Sequence, residues 1–230
     1  MGATIDMGFL LEQKYPKAYR EKFRLKLELI NQTLEQHHYP RHKELEESEH
    51  LDSMGCGLGS YSSLCRRLIR LRKFATFIAL EQTLPTSIQV LEEYGGLITE
   101  TAKLKVSKDS IRHFEQIRHL LAFGMETVYV PLKFDEVFNL SLANGTKFKI
   151  ASGVWVAKIC NSLCDLMNLE ESSFWTYQDL FEKQEEEPFA GYSYFTTEFP
   201  QFDEWGYDIS NSIRSCAEAG IEYSAVFIAS

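Results

Sequence analysis

Between Pro16 and Gln36 the chain places Tyr19, Phe23, Leu27, Ile30 and Leu34 at steps of four, four, three and four, with Leu25 and Leu29 widening the stripe. That spacing is helical, and Pro16 suits a first helical turn. A helix apolar over so broad an arc needs cover from the rest of its domain, so this element is scaffold. The rest of the chain can supply the cover: of its 230 residues 44% are hydrophobic, and they include 16 Phe, 11 Tyr and 3 Trp. A chain of this length hides about three quarters of the surface its unfolded form exposes.

Further along, the polar stretch from His37 to Asp52, with Pro40 and the glutamates 44, 46, 47 and 49, reads as a surface connection or a short exposed helix, and 37–58 as an exposed connection. Gly55-Cys56-Gly57-Leu58-Gly59-Ser60 reads as a glycine-rich turn opening a helix over about Tyr61–Leu80, and Pro85 closes that region. Gly95-Gly96 marks a turn, and Ser107–Arg118 has a helical inner face of Ile111, Phe114 and Ile117. Thr127–Phe134, rich in β-branched and aromatic residues, is the best strand, and Pro131 pushes it or its end toward a sheet edge. His119–Phe123 is expected to pair with it in a hairpin through Gly124–Glu126. Asn144-Gly145 predicts a second hairpin joining Phe138–Leu142 to Lys147–Ile150. Helices are expected over Ser152–Asn168 and near Asp208–Ala219, and a terminal strand over Ile221–Ile228. Strands confined mainly to the second half, with helices before and between them, predict one α+β domain over 1–230: long N-terminal helices packed with a small, mainly antiparallel sheet.

Composition narrows the function classes. No run approaches the roughly 18 apolar residues of a membrane-spanning helix, so no membrane segment is expected. The first residues lack a basic segment before an apolar one, and Asp6 spoils an acylation pattern, which together predict a cytoplasmic protein. Cys56, Cys65, Cys160, Cys164 and Cys216 form no C-x-x-C pair and read as buried free thiols. A formal net charge of −9 disfavours sequence-independent nucleic-acid binding, which needs clustered Lys and Arg, and favours basic partners.

Three constellations bear on chemistry. Gly57, Gly59 and Ser60, with Arg66, Arg67 and Arg70 behind them, could offer backbone N–H groups and positive charge to an anion at a helix start, although the spacing matches neither the dinucleotide fingerprint nor the phosphate loop. His37, His38, His42 and His50 lie among glutamates, but Pro40 interrupts the helix that would align His38 with His42, so no metal site is predicted and the segment reads as solvated. From Glu185 to Asp208 the chain is acidic and aromatic, and Asp203, Glu204, Trp205, Tyr207 and Asp208 form its densest part. Aromatic residues anchor interfaces and carboxylates steer a basic partner, while the same aromatics could equally fill a core.

Two segments carry a resemblance. His119-Leu-Leu-Ala-Phe-Gly-Met-Glu-Thr-Val-Tyr-Val-Pro-Leu-Lys-Phe134 resembles a stretch in a family of uncharacterised bacterial proteins, in which His-Leu-Ile leads through His-Ser-Asp to Tyr-Val-Pro and an acid before Phe. Gly59–Leu68 is similar to that family's Gly-Ser-Phe-Ser helix start. The resemblance implies the hairpin and a helix from about Ser60. It implies no activity, since Phe123, Gly124, Met125 and Lys133 replace the family's polar and acidic positions.

No nucleophile elbow, zinc-protease helix or kinase set occurs, and no cofactor is expected. A pocket assembled from distant residues would leave no such local mark. The sequence therefore predicts a non-enzymatic binding protein of the immunity or antitoxin kind, masking a basic protein partner with its acidic aromatic surface. The alternative is a small-anion or nucleotide site on the glycine-rich segment and its arginines.

Overall fold

Helix α1 spans Lys17–Gln36 and buries Phe23, Leu27, Ile30 and Leu34, but Tyr19 and Leu25, expected on its apolar arc, are exposed, so the covered stripe is narrower than the sequence predicts. The computed structural model describes residues 2–11, 14–46, 55–81, 116–124, 127–167 and 207–229. By their contacts these fall into two units, the first comprising Met1–Tyr61, Gln116–Ile159 and Ser212–Ser230, the second Ser62–Glu115 and Cys160–Asn211.

The first unit holds one mixed sheet of six strands: β1 (Gly2–Met7), β2 (Gly55–Ser60), β3 (Thr127–Val130), β4 (Phe138–Ser141), β5 (Lys147–Ser152) and β6 (Phe227–Ala229). Their order is β2-β1-β6-β3-β5-β4, and every neighbouring pair is antiparallel except β3 with β5. The class is α+β. The sheet is not drawn from the second half alone, because β1 and β2 come from the first 60 residues. The glycine-rich segment is thus an edge strand and not a turn: Gly57 pairs with Thr4 and Ser60 with Gly2. Without side chains to alternate, glycines give no period-two pattern by which a strand could be recognised. Helix α2 (Tyr61–Glu81) follows immediately.

The hairpin at Asn144-Gly145 forms as expected, with Gly145 at φ +83° and the Thr146 N–H donating to Asn144 Oδ1 at 3.0 Å. The other expected hairpin does not. Residues Ile117–Leu121 form a short helix, α3, because His119 and Leu120 are buried there and a short apolar run fits helix or strand equally well. Pro131 lies just beyond β3, which runs inside the sheet between β6 and β5. Helix α4 (Gly153–Met167) leaves β5 directly. Helix α5 covers Tyr207–Glu222 and takes up part of the expected terminal strand, leaving β6 only three residues. It is closed by Ser224 at φ +50° and by the Ala225 N–H donating to the Gly220 carbonyl at 2.9 Å, a Schellman-type ending.

The core of the first unit lies between α1 and one face of the sheet, where Phe23, Leu27, Ile30 and Leu34 meet Val128, Val130, Phe148, Ile150 and Val226. In the second unit α2 buries Leu71, Phe74 and Ile78. There too, Ser210 of α5 donates to the Cys160 carbonyl at 3.3 Å, and Cys160 and Cys164 are buried free thiols. Among the described residues no helix is long and apolar enough to cross a membrane.

Candidate functional site

Helix α1 ends on a histidine in the left-handed region. His38 sits at φ +64°, the Tyr39 N–H donates to the Leu34 carbonyl at 2.8 Å, and the His38 N–H donates to the Glu35 carbonyl at 3.0 Å. That double closure, followed by Pro40, turns the chain sharply out of the helix. The chain then runs extended, and an extended backbone sends alternate side chains opposite ways. Arg41 and Lys43 are exposed, whereas His42 and Glu44 go inward and are buried.

The buried pair is tied on three sides. The Asn31 side chain accepts from the His42 N–H at 2.7 Å and donates to the His42 carbonyl at 2.9 Å, fastening the segment to α1. His42 Nε2 and Glu44 Oε2 stand 2.7 Å apart with side chains 1% and 0% exposed. Glu44 Oε2 also accepts the Val226 N–H at 2.9 Å, just before β6, and Ser224 donates to the Lys43 carbonyl at 3.3 Å. Glu44 Oε1 is buried without a hydrogen-bond partner. Burial pushes the Glu44 carboxyl above the usual glutamate range, against weaker opposing pulls from His42 and the Val226 and Phe9 amides. Beside this pair runs an open cleft of about 890 Å³, its walls including Leu10, Arg24, Leu27, Glu28 and Arg41. Arg41 reaches Glu28 at 2.7 Å and Glu35 at 2.9 Å, and Arg24 reaches Glu46 at 3.1 Å.

A second polar cluster gathers where the parallel strands β3 and β5 end. His119 Nδ1 accepts the Ser152 N–H at 3.0 Å, so the ring proton of the neutral imidazole is on Nε2. Burial, reinforced by the neighbouring Arg118 charge, lowers the His119 pKa to about 4. Ser152 Oγ donates to the Leu132 carbonyl at 2.6 Å and accepts the Trp155 N–H at 3.2 Å, capping α4. The Trp155 indole donates to Asp135 at 3.1 Å, with the Lys133 and Lys158 ammonium groups 4.9 and 5.3 Å from its ring centroid. His119 meets the backbone amide of Ser152, which makes it a structural acceptor for that group.

The sequence-predicted residues are distributed differently. Asp203, Glu204 and Trp205 lie outside the described residues, and Tyr207 and Asp208 occupy the first turn of α5. Gly57, Gly59 and Ser60 lie in β2, and Arg66, Arg67 and Arg70 along α2, with Arg70 half-buried. The segment 37–46 is not uniformly solvated, since His42 and Glu44 are interior; its polar composition hid the alternation that puts them there. His37 is exposed, 3.7 Å from Glu136, and His50 lies outside the described residues. Among the described residues no group of three or more His, Cys, Asp or Glu side chains comes together to hold a metal. No protein-family model, no curated protein and no solved structure matches this chain.

Proposed function

We propose that the protein is a non-enzymatic binding protein of the immunity or antitoxin kind, taking a basic protein partner on its acidic aromatic tract. The observation that carries the reading is charge: 33 acidic residues against 24 basic ones, with acids interleaved among aromatics up to Asp208. Acidic residues at an interface speed encounter with a basic partner and disfavour like-charged competitors. The internal use of His42 and His119 supports it, since both rings hold their own chain together. The test begins with capture of the partner from a bacterial lysate and continues with association kinetics of the purified pair. Neutralising Asp203, Glu204 and Asp208 together is expected to slow association several-fold and flatten its salt dependence, with the circular dichroism spectrum unchanged. Capture of no basic protein, or an unaltered association rate, overturns the reading.

A second reading, an anion or nucleotide site, is favoured by one feature: β2 ends at Ser60 and α2 begins at Tyr61 with no residue between. The positive end of a 21-residue helix then follows Ser60 directly along the chain, and Arg66, Arg67 and Arg70 lie in the helix sequence. A ligand bound only by the folded chain raises its melting temperature with concentration. A nucleotide and polyphosphate series that leaves the melting temperature flat removes this alternative.

A further inference from the structure

The stretch from Lys133 to Lys158 departs from the acidic balance of the chain. It carries four lysines, Lys133, Lys147, Lys149 and Lys158, against two acids, whereas the whole chain has a formal net charge of −9. Both acids are engaged: Asp135 accepts from the Trp155 indole at 3.1 Å and from Gln116 at 3.4 Å, and Glu136 stands 3.7 Å from His37. Among the described residues none of the four lysines forms an ion pair. Two of them meet at one ring. The Lys133 and Lys158 ammonium groups lie 4.9 and 5.3 Å from the Trp155 centroid, with both lysines exposed and the tryptophan half-buried. The ring is held in place by Asp135 at its indole N–H and by the Ser152 hydroxyl at its backbone N–H. Two like charges beside one ring repel each other, and an exposed indole face offsets a cation only weakly. An anionic group brought here gains from both ammonium groups, with apolar indole area beside them.

We propose that Trp155, Lys133 and Lys158 form a docking surface for an acidic segment of a protein partner, the indole serving as apolar anchor and the two ammonium groups as carboxylate contacts. Binding energy concentrates on tryptophan more than on most residues, and charges around such an anchor set partner choice and encounter rate. Two cations in an otherwise acidic chain suit a few carboxylates better than a nucleic-acid backbone, whose neutralisation takes a longer array of Lys and Arg. The three residues lie outside the acidic aromatic tract in sequence, and they take a partner group of the opposite sign.

The experiment is an NMR titration of the full chain at low ionic strength with a synthetic peptide of glutamate and leucine, following the Trp155 indole N–H resonance. That resonance is expected to shift saturably, and added salt to weaken the binding. Lys133→Gln combined with Lys158→Gln is expected to raise the dissociation constant about two- to thirtyfold. The same loss of charge in Lys147→Gln combined with Lys149→Gln is expected to raise it less. No saturable shift at Trp155, or equal losses from the two pairs of substitutions, overturns the proposal. So does equal binding of a serine and leucine peptide of the same length, which would leave apolar contact as the whole effect. Tighter binding of a single-stranded oligothymidylate at the same ionic strength overturns it as well, and would make the surface a nucleic-acid site.

Discussion

His119 Nδ1 accepts the backbone N–H of Ser152 at 3.0 Å, joining a five-residue helix to the end of β5 across 33 positions of sequence. The bond requires an unprotonated Nδ1, and the ring is fully buried. It therefore ties the integrity of the sheet's inner end to the neutral form of one imidazole.

The pH consequence has a definite sign. The folded pKa of His119 is lowered from 6.5 to about 4, so the unfolded chain takes up the proton first as pH falls. The stabilisation is fully present above pH 6.5 and is lost progressively down to about pH 4, by an amount of about 3 kcal/mol. Urea unfolding at pH 7, 5.5 and 4.5 is expected to show this loss in the wild-type protein and a smaller one in His119→Gln. Glu44 contributes the opposite slope in both proteins, so the difference between the two curves isolates His119.

Asn31→Ala removes both bonds that hold the His42 backbone to α1. The substitution strands a buried N–H and a buried carbonyl together, at a cost of about 2–4 kcal/mol. Equilibrium denaturation gives the figure. A loss of only a few tenths of a kcal/mol would mean that water replaces the amide and that residues 41–46 are held by the Val226 and Ser224 bonds alone.

Much of the fold was legible where one physical signal acted alone. The Phe23–Leu34 part of the α1 stripe and the Asn144-Gly145 turn follow from local periodicity and turn chemistry, and the helix expected over Ser152–Asn168 forms as Gly153–Met167. What escaped was decided by distant partners. The glycines of β2 gain strand character only from β1, and residues 117–121 are helical where His119 meets Ser152 and Tyr129. The His42–Glu44 pair was the least legible. Its segment is polar in composition, and only the Schellman ending at His38, itself formed without glycine, sets the direction in which the extended chain leaves. The buried pair could have been suspected only from alternation after Pro40. Of the expected interface, Asp203, Glu204 and Trp205 fall outside the described residues.

Gly220→Ala sets helix propensity against packing. Alanine in a helix interior is favoured over glycine by roughly 1 kcal/mol. Here an added Cβ would stand 2.7 Å from the Ala225 carbonyl oxygen, which belongs to the loop that closes α5. Backbone must shift to admit it, and overpacking of this kind costs about 1–3 kcal/mol. A lower melting temperature for Gly220→Ala is the expected result. An increase would show that the Ser224 ending yields without loss.

Tyr129 serves two partners at once, and two substitutions separate them. Its ring stacks on Phe227 at 4.6 Å between centroids, binding β3 to β6, and its hydroxyl donates to the His119 carbonyl at 2.7 Å. Tyr129→Phe keeps the stack and gives up the bond, for an expected loss of about 1 kcal/mol. Tyr129→Leu gives up both, and the aromatic pair adds a further 0.5–1.5 kcal/mol or so beyond lost area. Because the hydroxyl and the imidazole fasten the same short helix, Tyr129→Phe and His119→Gln should not be additive. A double-mutant cycle measured by urea unfolding is expected to give a coupling of at least about 0.5 kcal/mol between them. Simple additivity would mean that the two bonds made by His119 act independently, and that loss of the Ser152 bond leaves the Tyr129 bond untouched.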